Sequence, residues 1–149
     1  MSDPANFISR FVIPKSNYRF GIARSDFRLN FALNCGSLSN PSTIPIYSAE
    51  RLEEQLDNAS RLYLADVVVK ATKRGEVSIS LPRVCQWFAE DFGSSQSDLL
   101  AKVESYLKDL ERDKLVSCRV PGEPRRYDMS CITIRYKDYN FQCRPLALE

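Results

Sequence analysis

The 149-residue sequence contains no histidine. Histidine is the side chain most often used for proton transfer near neutral pH, and it is the commonest metal ligand in proteins. Its absence excludes catalytic triads and zinc sites that depend on an imidazole. The cysteines include no Cys-x-x-Cys pair either. A structural zinc site would need four scattered cysteines, so we expect no metal and no cofactor.

Long apolar segments and a strong excess of one charge are also missing. No apolar run approaches the roughly 20 residues that a transmembrane helix requires, and the first residues lack the basic-then-apolar pattern of a signal peptide. Lys and Arg number 21 against 19 Asp and Glu, a net charge of +2. These features predict a cytoplasmic protein that does not enter a membrane. Nucleic-acid binding is disfavoured, because it usually requires a clearly basic surface.

The cysteine pattern predicts free thiols rather than a disulfide framework. Their number is odd, they are widely spaced, and no secretion signal accompanies them. The five positions are Cys35, Cys85, Cys118, Cys131 and Cys143.

Hydrophobic periodicity predicts an α+β fold. Residues 1–25 read as an irregular N-terminal segment and residues 26–149 as a single domain. Period-two patterns and β-branched runs predict strands at 29–35, 67–69, 77–81, 115–120 and 131–136. Since the connections between these runs look short, we expect a mostly antiparallel sheet of about five strands.

Helical spacing predicts three helices. The first spans 49–64, with Ser48 as its N-cap. The second begins at Pro82 and ends at Gly93, and it places Trp87 in the core. The third follows Ser95 or Ser97 and carries an apolar stripe that extends to residue 110.

The sharpest candidate for chemistry is Cys35, where the first predicted strand gives way to a glycine-containing loop. As a nucleophile, its thiol would need a base or a cation to lower its pKa, and lysine, aspartate or a helix N-terminus would have to replace histidine. The alternative is a buried structural cysteine at a strand end, since free cysteine is among the most buried residue types. Glu90 and Asp91 similarly suggest an acid–base pair or a solvated helix end.

Residues 97–136 offer a further alternative. A helix, a basic turn and a strand follow one another there, as in a winged helix whose turn contacts DNA. The helix-turn-helix that should precede the turn is poorly formed, and the charge is nearly balanced.

Several ordered motifs resemble the domain-of-unknown-function family 547. Residues 26–39 (DFRLNFALNCGSLS) are similar to its signature Asp-x-Arg-hydrophobic-His-Phe-Ala-Leu-x-Cys-Gly. Residues 46–57, 79–93 and 139–141 resemble three later blocks of the family. The resemblance covers most of the chain from residue 26 onward, whereas the N-terminal helical block of the family is not visible in residues 1–25.

Two positions depart from the family pattern. Asn30 stands where the family has histidine, and the second cysteine of its loop is Asn40 or absent here. If the family's histidine and cysteine act together, this chain should be inactive. Cys35 remains the candidate catalytic residue, and the candidate binding residues are Asn30, Gly36, Ser37, Trp87 and Asp91.

The missing histidine, the balanced charge and the core-like motif residues predict a non-enzymatic module for protein interaction or scaffolding. The resemblance implies a place in a larger signalling polypeptide, with a protein or a neighbouring domain as partner. The alternative is a thiol-dependent hydrolase or transferase with Cys35 as nucleophile.

Overall fold

The structure of the protein, a computed structural model, describes residues 26–143, so the predicted irregular segment 1–25 lies outside the described residues. These residues form an α+β arrangement, which confirms the predicted class. The helices are α1 Leu29–Ala32, a 3-10 helix Ala49–Arg51, α2 Leu52–Tyr63, α3 Val84–Trp87, α4 Ala89–Phe92, α5 Gln96–Glu104 and α6 Asp109–Val116. The strands are β1 Val68–Ala71, β2 Val77–Leu81 and β3 Ile132–Tyr136. Between residues 26 and 143, no helix is long and apolar enough to cross a membrane.

The sheet is mixed and has three strands in this range, so the prediction of about five mostly antiparallel strands was wrong. β2 lies in the middle, antiparallel to β1 and parallel to β3. A turn over residues 72–75 joins β1 to β2, and Gly75 adopts a φ of 81° there. The connection from β2 to β3 is long, because it contains α3 to α6. Such a crossover is what a parallel pair requires.

The core forms around β2. Its alternate residues Val77, Ile79 and Leu81 are at most 3% exposed, as expected for a central strand. Helix α5 contributes Leu100 and Val103, which are fully buried in the same cluster. The apolar stripe predicted for the helix after Ser95 or Ser97 is therefore buried at Leu100 and Val103, whereas Leu110, at its predicted end, is 67% exposed.

The predicted strand at 29–35 is instead a helix followed by a loop. The Asp26 carboxylate accepts the Arg28 N–H at 3.0 Å, and the Leu29 N–H donates to the Asp26 carbonyl at 3.1 Å. This turn starts α1, which ends at Ala32. The period-two pattern of hydrophobic residues misled the prediction, because Phe31 is buried whereas Leu33 is 73% exposed.

The helix predicted from Pro82 to Gly93 is broken in the middle. Phe88 has φ −113° and ψ 37°, which ends α3 and allows α4 to start in a new orientation. Val84 and Phe92 are buried, but Trp87 and Phe88 are each 48% exposed. The expectation that Trp87 lies in the core was wrong, because it assumed one continuous helical face.

Two other helix predictions need correction. Ser48 precedes the 3-10 helix but makes no capping bond with its side chain. The predicted helix after Ser95 starts with a capping box between Ser95 and Asp98, yet it ends at Glu104. A second helix, α6, follows and occupies the start of the predicted strand 115–120. Beyond α6, Arg119 forms an isolated antiparallel bridge with Tyr127.

Candidate functional site

Arg28 fixes the start of the Cys35 loop. Its guanidinium contacts the carboxylates of Asp26 and Glu53 at 2.6 Å and of Asp57 at 2.9 Å. These ion pairs join α1 to α2, and the bond from Arg28 holds the pKa of Asp26 below its usual value. The Asp-x-Arg part of the sequence motif therefore has a structural role: it anchors the segment that leads into Cys35.

The loop after α1 turns sharply at Gly36, whose φ of 75° favours glycine. The Asn34 side chain braces this turn, because it accepts the Gly36 N–H and donates to the Pro41 carbonyl, both at 2.8 Å. The loop presents Cys35 to solvent. The interpretation of Cys35 as a buried cysteine at a strand end was therefore wrong.

The C-terminal segment 139–143 lies beside this loop. The Leu38 N–H donates to the Gln142 carbonyl at 2.9 Å, and the Asn140 N–H donates to the Ser39 hydroxyl at 2.7 Å. An isolated antiparallel bridge pairs Ser37 with Cys143. These contacts bring Tyr139 next to Cys35, although the two residues are 104 positions apart in sequence.

Four polar side chains meet at this junction, and we call them the Cys35 cluster: Cys35, Ser37, Asn40 and Tyr139. The Asn40 Oδ1 atom accepts from the Cys35 thiol and the Ser37 hydroxyl at 3.0 Å, and from the Tyr139 hydroxyl at 3.2 Å. The Cys35 Sγ and Tyr139 hydroxyl oxygen atoms are 3.3 Å apart. The Ser37 and Tyr139 hydroxyl oxygen atoms lie 2.8 Å apart.

This environment lowers the pKa of the Cys35 thiol. The Tyr139 hydroxyl makes the largest contribution, followed by the backbone N–H and the hydroxyl of Ser37. Hydrogen-bond donors favour a thiolate because they interact more strongly with the charged form. The lowering thus comes from hydroxyl and amide groups, not from the base or cation that the sequence analysis expected. Burial, together with the bond to Cys35, raises the pKa of Tyr139 in turn.

An exposed group of aromatic rings, which we call the aromatic platform, adjoins the Cys35 cluster through Tyr139. It consists of Trp87, Tyr139 and Phe141. The Trp87 ring centroid lies 5.0 Å from that of Tyr139 and 5.8 Å from that of Phe141, and the latter two lie 4.7 Å apart. Trp87 is therefore not a core residue but part of a surface that has the exposed Cys35 thiol at its margin.

Asn30 and Asp91 form a separate contact. The Asn30 amide donates to the Asp91 carboxylate at 2.9 Å and so connects α1 to α4. Since Glu90 is exposed and Asp91 is engaged in this bond, the structure gives no support to an acid–base pair of adjacent residues. The Asn30–Asp91 contact helps to hold the scaffold on which the Cys35 loop is mounted.

The site residues predicted from sequence thus divide into two groups. Cys35, Ser37 and Trp87 each contact Tyr139, and Gly36 lies in the same loop, whereas Asn30 and Asp91 pair with each other. Sequence reasoning did not identify Asn40 or Tyr139 as site residues. The signal available for Tyr139 was its place in the motif at 139–141. Across residues 26–143, no group of three or more acidic or cysteine side chains is arranged to hold a metal ion.

Comparison with protein families shows that residues 3–64 match the family described as "Protein of unknown function, DUF547". The match confirms the family resemblance inferred from the motifs. It begins within residues 1–25, where the motifs show no family block, and it ends at the last turn of α2. The later motifs at 79–93 and 139–141 lie outside it.

No curated protein and no solved structure matches the chain significantly. The family match covers less than half of the 149 residues. Residues 3–64 are therefore similar to the DUF547 family of proteins of unknown function.

Proposed function

We propose that the chain is a protein-interaction module and that the aromatic platform is its binding surface. The observation that carries this proposal is the exposure of neighbouring stacked rings: Trp87 is 48% and Phe141 is 72% exposed. Single exposed hydrophobic side chains are ordinary. A contiguous apolar patch on a protein surface, by contrast, marks a place where another molecule binds.

The chemistry of the platform suits a protein partner. Aromatic side chains bury a large area at a small cost in side-chain entropy, and Trp and Tyr are enriched among the residues that dominate binding energy. Polar groups lie at the margin of the platform, since the Tyr139 hydroxyl contacts the Cys35 thiol. An apolar centre with a polar margin is the usual composition of a protein interface.

The platform is also held in place without a partner. Segment 139–143 is bonded to the Cys35 loop through Leu38 and Ser39. Arg83, at the start of α3, donates to the Lys137 carbonyl at 3.1 Å and contacts the Asp138 carboxylate at 2.9 Å. These bonds fix the two chain segments that carry the rings, and a preformed surface loses less entropy on binding.

The test compares two platform variants, Trp87→Ala and Phe141→Ala, with a matched control, Phe88→Ala. Phe88 is as exposed as Trp87 but is not part of the platform. Each full chain is used to capture proteins from cells that express it, and captured proteins are quantified by mass spectrometry. We expect a partner that the wild type and Phe88→Ala retain equally and that both platform variants lose.

A purified partner then permits a direct measurement. The chain has one tryptophan, so the tryptophan emission of the chain comes from the platform. Titration with the partner should change the Trp87 emission in a saturable way. Equal retention of every captured protein by Trp87→Ala, Phe141→Ala and Phe88→Ala would refute the proposal, provided that circular dichroism shows all three variants folded.

A second candidate function is thiol-dependent transfer or hydrolysis at Cys35. The observation that favours it is an exposed thiol whose pKa is lowered by Tyr139 and Ser37. A panel of ester and peptide substrates tests it, with Cys35→Ser as the variant and Cys143→Ser as the control, because Cys143 is also exposed. Turnover that is lost only in Cys35→Ser would support this candidate, and no turnover, or equal turnover in both variants, would remove it.

A further inference from the structure

A cavity opens between α1, α2 and the segment 33–51 that joins them, and we call it the α1–α2 cavity. Its lining includes no residue of the Cys35 cluster or of the aromatic platform, and its volume is about 160 Å³. Phe31 and Ala32 of α1 and Ala59 of α2 form part of the lining, and each is at most 8% exposed. Because these three residues are buried, the cavity reaches into the packed interface of the two helices.

The cavity is preformed, because hydrogen bonds hold the connecting segment against both helices. The Tyr47 hydroxyl donates to the Ala32 carbonyl at 3.0 Å, at the end of α1. The Gln55 side chain of α2 donates to the Ile46 carbonyl and accepts the Ser48 N–H, both at 2.9 Å. These bonds fix the wall that the segment contributes. A ligand would therefore find the site already open and would lose little free energy in shaping it.

The lining of the cavity favours a neutral apolar ligand. None of the described residues that line it is charged, and Pro41, Pro45 and Leu62 extend its apolar wall. Two of the polar residues in the lining, Asn34 and Gln55, already use their amide groups to hold the connecting segment. An ion bound here would lose hydration without gaining a charged partner. An apolar group would instead lose an unfavourable contact with water.

The volume of the cavity indicates the size of the ligand. An apolar cavity of about 150 Å³ in a protein binds benzene, because water finds too few polar partners there. We propose that the α1–α2 cavity is a binding site for a small neutral molecule that carries one aromatic ring or a branched alkyl group of similar size. The site is distinct from the aromatic platform, so it binds its ligand whether or not the platform binds a protein.

The cavity adjoins the Cys35 loop. Asn34, which directly precedes Cys35, is part of its lining, and so is Pro41, which directly follows Asn40 of the Cys35 cluster. The Asn34 side chain donates to the Pro41 carbonyl at 2.8 Å. A ligand in the cavity therefore lies against both ends of the loop that presents the thiol. Because a ligand that binds only the folded chain stabilises it, the melting temperature should rise with ligand concentration.

The experiment uses toluene as the probe, because toluene is neutral and carries one ring. Toluene is titrated into the isotope-labelled full chain, and the backbone amide signals are followed by NMR. We expect saturable shifts at residues that line the cavity, such as Ala32 and Ala59, together with a melting temperature that rises with toluene concentration.

Two variants and one control test the location of the site. Ala59→Leu should abolish binding, because the larger side chain fills the cavity. Leu62 is 52% exposed, so the fold should tolerate Leu62→Gln. This variant removes part of the apolar wall and should raise the Kd for toluene at least about fivefold. Leu110→Gln is the matched control, because Leu110 on α6 is 67% exposed and is not in the lining, and it should bind toluene as the wild type does.

Three results would overturn the proposal. The first is the absence of saturable shifts in the wild type up to the solubility limit of toluene. The second is toluene binding that Ala59→Leu and Leu62→Gln both retain. The third is a set of shifts confined to the residues around Trp87, which would place toluene on the aromatic platform. Circular dichroism checks that each variant is folded, and Leu62→Gln alone decides the second result if Ala59→Leu does not fold.

Discussion

Cys35 and Cys85 carry the same thiol group in two contrasting regions of the molecule. Cys35 is exposed on a loop, where Tyr139 and Ser37 lower its pKa. Cys85, on α3, is fully buried in the core, and desolvation raises its pKa to about 12. Donors around an accessible thiol favour the thiolate, and an apolar shell suppresses it. The contrast shows that thiol chemistry in this chain is set by position in the fold, not by residue type.

The aromatic residues show the same contrast. Phe92 on α4 is fully buried and packs against Phe31, with ring centroids 5.7 Å apart. Phe141 also packs against a ring, that of Trp87, yet it is 72% exposed. Ring contacts in the core contribute to folding, whereas much of the apolar area of Trp87 and Phe141 stays exposed to solvent. The predictions below test this division between core and surface.

The largest expected effect is the difference in thiol reactivity between the two regions. At pH 7.5 we expect iodoacetamide to alkylate Cys35 at least ~10³ times faster than Cys85, because Cys85 is both buried and protonated. Peptide mass spectrometry over a time course measures both rates in one sample. Urea at a denaturing concentration is the control, since it should bring the two rates together. Comparable alkylation rates of Cys35 and Cys85 in the folded protein would contradict the proposed difference between the two regions.

The next effect concerns stability. Phe92→Ala should lower the free energy of unfolding by about 3–5 kcal/mol, because it removes a buried ring and leaves a cavity. Phe141→Ala should change it by less than about 1 kcal/mol, since the ring is largely in water already. Urea denaturation followed by circular dichroism measures both. A large loss of stability in Phe141→Ala would mean that the platform belongs to the core.

A smaller effect should follow from the removal of one hydroxyl group. Tyr139→Phe keeps the ring of the platform but deletes the strongest donor to Cys35. The pKa of Cys35 should therefore rise, and its alkylation rate at neutral pH should fall. The rate measured against pH gives the pKa directly. Ser37→Ala should also raise the pKa of Cys35. Tyr136→Phe, on β3, is the control and should leave the dependence of the Cys35 alkylation rate on pH unchanged.

The smallest effect is expected at the capping box of α5, the helix that packs on the core. Ser95→Ala removes the hydroxyl that accepts the Asp98 N–H at 3.1 Å, and should cost about 1 kcal/mol of stability. Ser94→Ala is the matched control, because the Ser94 hydroxyl donates to the Asp98 carboxylate but accepts no helix N–H. Thermal unfolding distinguishes the two. Equal losses would show that the cap does not act through the helix terminus.

Local patterns predicted the parts of the fold that local forces decide. The alternation of Val77, Ile79 and Leu81 identified β2, and Ser95 marked the start of α5 correctly. The pattern at 29–35 failed because a turn initiated at Asp26 outweighs a period-two signal over seven residues. The orientation of β3 also escaped prediction, since it depends on how the helices between β2 and β3 cross the sheet.

The candidate site was predicted only in part, because local sequence patterns identify neighbouring residues but not contacts between distant ones. Cys35, Gly36 and Ser37 are consecutive, and the loop composition identified them. The role of Tyr139 depends on a contact over 104 residues, which no single-sequence pattern contains. Trp87 was assigned to the core because the irregular backbone at Phe88 leaves no signature in the spacing of apolar residues.

The most direct test of the binding surface is whether a partner protects Cys35. The alkylation rate of Cys35 is measured in the wild type and in Trp87→Ala, with and without the captured partner, and Cys131 serves as an internal control. Because Cys35 adjoins the platform through Tyr139, we expect the partner to slow alkylation of Cys35 in the wild type, not in Trp87→Ala, and to leave Cys131 unchanged. A partner that binds the wild type without slowing Cys35 would contradict the assignment of the platform as the binding surface.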